Sequence, residues 1–133
     1  VRFEVTQAER MTAGDVGRAQ ARQAQAHEQS RQFFEKYEYF VLPMTQVSPF
    51  DVTTPYPTEI AGTPMGGYLD WMRSCWYISF MSNPAMSVPA GFTAAGLPVG
   101  IQIVGRHHGE WSVLQMAHAF EQETRCFEKR PPL

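Results

Sequence analysis

The chain has 133 residues, of which 44% are hydrophobic and 18% charged, a composition typical of one globular domain and not of a disordered segment. Its 11 basic and 13 acidic side chains leave a net charge of −2, so it offers no electrostatic footprint for nucleic acid or an anionic membrane. No apolar stretch is long enough to span a bilayer, and we expect neither a nucleic-acid nor a membrane partner.

The first predicted element is a long amphipathic helix over residues 13–37. Thr12 and Asp15 have the spacing of a capping box, in which a hydroxyl and an acidic side chain satisfy the first amides of a helix. No proline interrupts the stretch that follows, and its apolar positions recur at helical intervals.

A short apolar run at residues 39–42, stopped by Pro43, predicts a buried strand. Residues 45–67 contain four prolines and three glycines and predict a long irregular segment, a kind of segment that is usually functional in compact domains. Residues 68–77 are rich in aromatic side chains and predict one short helix.

The C-terminal third predicts a β-hairpin followed by a helix. Residues 85–92 form the first strand, with Pro89 indicating a sheet edge or a bulge. Val99, Ile101 and Ile103 alternate with smaller or polar residues, the pattern of a half-buried second strand. Residues 110–124 then carry apolar side chains at helical spacing.

The predicted order is helix, strand, long loop, helix, β-hairpin and helix, which indicates an α/β fold with a mixed sheet flanked by helices. Three strands and two long helices are few secondary-structure elements for a domain that folds by itself. We therefore expect the chain to be one end of a larger fold.

Two neighbouring runs carry a resemblance to a known family: residues 83–93 (NPAMSVPAGFT) and residues 96–105 (GLPVGIQIVG). They resemble the C-terminal region of the amidase signature enzymes. Residues 37–43 (YEYFVLP), 68–72 (YLDWM) and the closing Arg130-Pro131 follow in the family's order, so the resemblance covers residues 12–132. The chain departs from the family pattern at residues 79–82, where an Asn-hydrophobic-Thr-Gly run is usual, and at Leu42 and Met44, where small hydroxyl residues are common.

The resemblance implies the fold of an amidase signature enzyme and hydrolysis of the carbon–nitrogen bond of a carboxamide, without metal or organic cofactor. Family members use a serine nucleophile, a bridging serine and a lysine base. This chain has no Ser-Ser dipeptide, and its lysines are Lys36 and Lys129, outside any glycine- and serine-rich loop. We therefore predict no catalytic residue here, and we expect the chain alone to be inactive.

By this interpretation, residues 1–133 are the C-terminal segment of an amidase domain whose upstream catalytic part is missing. The partner of the full-length enzyme would be a small-molecule amide, and the segment alone would self-associate through surfaces left uncovered. Two alternatives stay open: a non-catalytic remnant that acts as a binding or self-associating module, and the amidotransferase-subunit branch of the same family.

The candidate substrate-pocket residues lie just before the hairpin: Asp70, Trp71, Trp76, Phe80 and Met81. Aromatic side chains at this spacing most often pack in a core. The resemblance favours a second interpretation, in which they line the acyl pocket of the whole enzyme, since pockets combine apolar walls with few polar groups. Asp70 would orient a pocket group or cap a helix.

Neither the histidines nor the cysteines predict a metal or a catalytic site. His107 and His108 are adjacent and His118 has no ligand partner at helical spacing, while His27 is expected to be solvated. Cys75 lacks a nearby histidine and is expected to be a buried thiol. With Cys126 as the other cysteine, no disulfide framework is indicated, which favours a reducing, cytoplasmic location.

Overall fold

The computed structural model describes residues 5–6 and 8–130, which form helices around a small antiparallel sheet. Its helices and strands, in chain order, are α1 (Ala13–Phe33), β1 (Tyr39–Pro43), β2 (Glu59–Ile60), β3 (Thr63–Pro64), α2 (Tyr68–Trp71), α3 (Arg73–Phe80), β4 (Ala85–Phe92), β5 (Pro98–Gly105) and α4 (Glu110–Thr124), followed by a 3₁₀ turn at Cys126–Glu128.

The main sheet has three strands in the order β1-β5-β4, and both pairings are antiparallel. Strand β5 is therefore central, with Ile103 opposite Val41 on one side and Met86 on the other. Strands β2 and β3 form a separate two-stranded hairpin within the long loop.

The core lies between the sheet and α4. Val88 and the fully buried Ile103 from the sheet pack against Val113 and Ala117 of the helix. Burying such aliphatic side chains contributes about 1.5–3 kcal/mol each. The opposite face of β5 meets α3, where the buried Gln102 donates through Nε2 to the carbonyl of Ser74 at 3.0 Å.

Helix α1 begins as predicted but ends earlier. Thr12 accepts from the Asp15 amide while the Asp15 carboxylate accepts from the Thr12 amide, which confirms the capping box. The helix ends at Phe33 and not at residue 37, because the chain must reverse within a few residues to enter β1. The Phe33 ring stacks on Tyr37 at 4.6 Å and fixes this turn.

The single helix predicted for residues 68–77 is wrong, because the chain forms two helices that break at Met72. The amide of Cys75 bonds to the Met72 carbonyl at 2.9 Å instead of continuing the helical ladder to Trp71. The Trp71 carbonyl accepts instead from Nε2 of Gln46 at 2.6 Å. A side chain from the long loop therefore takes the place of a helical hydrogen bond.

The hairpin and the final helix are confirmed. The β4 ladder shifts register between Pro89 and Gly91, so Pro89 lies at both a bulge and a sheet edge. Gly91 has a φ of +141°, a conformation that favours glycine. The long loop is mostly irregular, but the β2–β3 hairpin was not predicted; Ala61 and Gly62, both with positive φ, form its two-residue turn.

At Gly105, β5 packs so closely against α4 that there is no room for a side chain. A single added methyl group at this position should therefore destabilise the fold. A Cβ at this position would lie 2.5 Å from Cγ2 of Val113, so Gly105→Ala should destabilise the fold by about 1–3 kcal/mol. Chemical denaturation at low protein concentration measures this change.

The matched control is Gly17→Ala in α1, where an added Cβ meets nothing within 4 Å. Alanine is a better helix former than glycine, so this change should stabilise the chain by about 0.5–1 kcal/mol. Equal effects of the two substitutions would contradict the close packing of β5 on α4.

Candidate functional site

A broad open cleft of about 670 Å³ lies where the end of β1 meets the hairpin. Its lining consists of residues 43–50, Trp71, Ser87, Val88, Pro89, Pro98, Val99 and Gly100. Most of these groups are apolar or backbone, and within the described chain neither a lysine nor a histidine lines the cleft. The described lining residues therefore give the cleft a largely apolar wall.

Hydrogen bonds to two elements, β5 and α3, fix the start of the loop that forms this wall. The Met44 amide bonds to the Gly100 carbonyl at 3.0 Å, which extends the β1–β5 ladder by one residue. The Met44 carbonyl accepts from the Ser74 hydroxyl at 3.0 Å and from the Cys75 thiol at 3.2 Å. The wall is thus attached to both β5 and α3. No local sequence pattern marks Ser74, because its role depends on a contact with Met44, 30 residues earlier in the chain.

Trp71 is the one predicted pocket residue that lines the cleft. Its ring meets Phe50 and Tyr68 edge to face, with centroids 5.5 and 5.8 Å apart. Its buried Nε1 has no hydrogen-bond partner among the residues that the structure describes. The three rings form an apolar corner of the cleft, and Phe50 was missing from the predicted set although it lies in the proline-rich loop.

Asp70 lies behind this corner and holds the loop that leads into α2. Its carboxylate accepts from Arg73 and from the Gly66 amide, both at 2.8 Å. The hydrogen bond from the Arg73 guanidinium, with a smaller contribution from Gly66, lowers the pKa of the Asp70 carboxyl below its ordinary value of 3.8. Asp70 is therefore charged at neutral pH, and its carboxylate holds the neighbouring residues Gly66 and Arg73 in place.

The structure brings the other three predicted pocket residues to other surfaces. Trp76 is 37% exposed and donates from Nε1 to the Leu69 carbonyl at 2.8 Å. The carbonyl of the half-buried Phe80 accepts from Gln23 of α1 at 3.1 Å. Met81 lines a smaller apolar groove of about 230 Å³ between α1, α3 and β5. A substrate role for these residues stays a prediction.

Two of the histidines, His27 and His107, bond to the main chain that follows α3. His27 was expected to be solvated, which is wrong: it is half-buried, and its Nδ1 donates to the Met81 carbonyl at 3.1 Å. The reason is that the second half of α1 packs against the segment that follows α3. His107 donates similarly to the Ser82 carbonyl at 2.9 Å, and the two rings meet edge to face at 5.0 Å.

No group of three or more His, Cys, Asp and Glu side chains within residues 5–6 and 8–130 is arranged to hold a metal ion. Over the same residues, no helix combines the length and the hydrophobicity needed to cross a membrane.

Comparison with solved structures establishes the class of fold. A bacterial aryl acylamidase of the amidase signature family superposes with a TM-score of 0.83 at 20% identity, over 93% of this chain and 26% of that one. A 6-aminohexanoate cyclic dimer hydrolase superposes with a TM-score of 0.79 at 22% identity, over 96% of this chain and 28% of that one. The fold is therefore that of a part of an amidase signature enzyme.

Sequence comparison then identifies the family. The sequence model of the family described as Amidase matches residues 3–114, and the chain belongs to this family. An acylamidase of Rhodococcus erythropolis is 36% identical over 126 residues, which are 94% of this chain and 26% of that protein. One of the subunits of the glutamyl-tRNA(Gln) amidotransferase of Moorella thermoacetica is 39% identical over 100 residues, 75% of this chain and 19% of that protein. The chain thus spans about a quarter or less of these relatives.

The Asp70–Arg73 contact predicts a titration that can be measured directly. In a carbon-detected NMR titration, the midpoint of the Asp70 carboxyl should lie below 3.8 and should rise in Arg73→Gln, because the main cause of the lowered pKa is removed. Folding lowers the pKa of the Asp70 carboxyl, so its charged form stabilises the folded state above pH 3.8. This stabilisation is lost as the pH falls through the midpoint of the folded state.

Asp51 is the internal control, because Thr53 and not Arg73 lowers its pKa. Its midpoint should stay unchanged in Arg73→Gln. An Asp70 midpoint that also stays unchanged would contradict the role assigned to the guanidinium.

Proposed function

We propose that residues 1–133 form the C-terminal segment of an enzyme that hydrolyses the carbon–nitrogen bond of a carboxamide. The catalytic groups would lie in a preceding part of the same protein. The observation that carries this proposal is the one-sided cleft in a member of the Amidase family: it offers an apolar wall, and neither a lysine nor a histidine is among its described lining residues. The length of the relatives supports it, since this chain matches 26% of the Rhodococcus acylamidase.

Amide hydrolysis requires a nucleophile and a base within hydrogen-bond reach of each other. A lysine can act as the base when burial or a neighbouring charge keeps it neutral. Lys36 lies instead in the turn between α1 and β1, and Lys129 follows the 3₁₀ turn near the end of the described chain. The segment would therefore form part of the wall of the active site, and the nucleophile and the base would come from another part of the same protein.

Trp71 is the residue that we assign to the wall of the substrate pocket, with Asp70 holding the α2 segment that carries it. The edge-to-face contacts with Phe50 and Tyr68 hold the Trp71 ring in an aromatic corner of the wall. Trp76, Phe80 and Met81 would line the pocket only together with groups from the rest of the enzyme. An aromatic wall favours an apolar or aryl amide as the substrate.

The amidotransferase branch is the second candidate within the family, in which the enzyme would release ammonia from glutamine. The identity of 39% to the Moorella protein over 100 residues favours this alternative. It differs from the first proposal in substrate, because glutamine is polar and would gain little from the aromatic corner at Trp71.

A non-catalytic role as a self-associating module is the third candidate. Large apolar side chains, including Phe40, Val41 and Trp111, are exposed on the chain by itself. Exposed apolar surface of this kind marks interaction sites, so we propose that the chain self-associates when made alone.

Cys75 and Cys126 are free thiols, which suits the cytoplasmic location that we propose.

A chimera tests the proposed function. Residues of this chain replace the matching 26% of the Rhodococcus acylamidase, and hydrolysis of a simple anilide and release of ammonia from glutamine are measured in parallel. We expect anilide hydrolysis by the chimera and none by the isolated chain, because only the chimera would bring a nucleophile and a base together at the cleft.

Turnover by the isolated chain that persists through stringent purification would contradict the proposal. A folded, soluble chimera without anilide hydrolysis would contradict it as well, and ammonia release from glutamine alone would favour the amidotransferase branch. The matched control is the unmodified acylamidase, purified in the same way.

A further inference from the structure

The last three carbonyls of the short helix α2 are bonded by side chains. The Leu69 carbonyl accepts from Nε1 of Trp76 at 2.8 Å. The Asp70 and Trp71 carbonyls both accept from Nε2 of Gln46, at 3.0 and 2.6 Å. The last carbonyls of a helix have no partner within the helix itself, so the side chains that bond them decide where the helix ends. Gln46 therefore holds the break between α2 and α3.

The chemistry of this contact requires the amide of Gln46. A carbonyl can only accept, and the NH₂ group of a glutamine carries two donors, one for each of the two carbonyls. Methionine has a similar length but no donor. A substitution of Gln46 by methionine therefore keeps most of the bulk of the side chain and removes both hydrogen bonds.

The loop that carries Gln46 contacts both sides of the break between α2 and α3. Two residues before Gln46, the Met44 carbonyl accepts from two side chains of α3. Gln46 itself bonds to the end of α2. Further along the same loop, the Phe50 ring meets the Trp71 ring edge to face at 5.5 Å. The loop thus holds both the main chain and the ring of Trp71.

A second arrangement of this segment is available when Gln46 is removed. In a continuous helix, the Trp71 carbonyl would accept from the amide of Cys75, four residues later. That amide bonds instead to the Met72 carbonyl at 2.9 Å. The sequence pattern of residues 68–77 favours one helix. A continuous helix would change the direction of the Trp71 side chain relative to α3 and move its ring from the wall of the cleft.

We propose that Gln46 is a positioning residue for the substrate pocket. It holds Trp71 in the wall of the cleft and thereby gives the enzyme a preference for amides that carry an aromatic ring. Gln46 and Trp71 both line the cleft. Gln46 is exposed and lies outside the buried core, so its hydrogen bonds constrain the wall and not the core. This inference rests on the proposed function.

The substitution Gln46→Met in the chimera tests this role with three amides. Acetanilide carries a ring on the amine side, benzamide carries a ring on the acyl side, and acetamide carries none. For the aromatic amide whose ring meets Trp71, we expect KM to rise at least about fivefold, because two hydrogen bonds that hold the ring are lost. The kcat values, and KM for acetamide, should stay within about twofold of the parent chimera.

Equal changes in KM for all three amides would overturn the inference. So would a chimera that no longer folds, because a side chain that only positions the wall leaves a folded protein. The matched control is Gln115→Met, the same change at an exposed position on α4 outside the cleft lining. It should leave KM within about twofold for each amide. Equal effects of the two substitutions would contradict a role of Gln46 in the wall.

A double-mutant cycle tests whether Gln46 acts through Trp71. Trp71→Leu should raise KM for the same aromatic amide. Adding Gln46→Met to Trp71→Leu should then change KM by less than about twofold, since the ring that Gln46 holds is already absent. Two effects on KM that multiply would show that the residues act independently and would overturn the inference.

The isolated chain supplies a measurement that does not depend on activity. The chain has three tryptophans, so its NMR spectrum should contain three indole N–H signals. Gln46→Met should shift the Trp71 signal by more than its line width, with the assignment made by Trp71→Phe. Trp111 is the internal reference, because it lies on α4 and is 72% exposed. A Trp71 signal that does not move overturns the inference.

Binding measurements separate this inference from the proposed function. In a folded chimera that hydrolyses no amide, dissociation constants measured by calorimetry take the place of KM. If Gln46→Met weakens binding of an aromatic amide and not of acetamide, the inference stands and the proposed function fails. If the chimera hydrolyses amides and Gln46→Met leaves every KM unchanged, the proposed function stands and the inference is wrong. A folded chimera that binds neither aromatic amide overturns both.

Discussion

Strand β5 is bonded on both sides, and the packing of its buried residue Ile103 beneath α4 is the constraint on which the rest of the described structure depends. The loop that forms the cleft starts from the β5 ladder at Gly100. The other end of β5 holds α1, because Asn83 donates to the Gly105 carbonyl at 2.8 Å and accepts from Ser30 at 2.7 Å. A displacement of β5 would therefore separate the cleft wall, the long helix and the core at the same time.

The two edges of the main sheet differ in how far they are covered. The β4 edge ends in a bulge with a turn packed beside it, whereas β1 leaves its outer edge and parts of both faces uncovered. The cleft is likewise a wall, with an aromatic corner at Trp71 and no lysine or histidine among its described lining residues. Both features are those expected of the role that we propose, a segment that completes one side of a substrate pocket, and the chain matches 26% of the Rhodococcus acylamidase.

The hairpin and α4 could be predicted because local signals determine them: Pro89 and Gly91 for the bulge, alternation for β5, and helical spacing for α4. The family resemblance depended on the same hairpin. The break after Trp71 could not be predicted, since it depends on Gln46, which lies 25 residues earlier and takes the Trp71 carbonyl. The half-buried position of His27 depends in the same way on a main-chain carbonyl far along the sequence. Local pattern thus predicted elements, and tertiary hydrogen bonds decided where they end.

Hydrogen exchange on the isolated chain tests most directly whether β5 organises this structure. The amides of Gln102, Ile103 and Val104 should be the slowest to exchange. Those of residues 14–25 should exchange at least about a hundredfold faster, because nearly all of that half of α1 is exposed. If the first half of α1 were protected as strongly as β5, or if β5 exchanged as fast as the long loop, the account of β5 as the organising strand would be wrong.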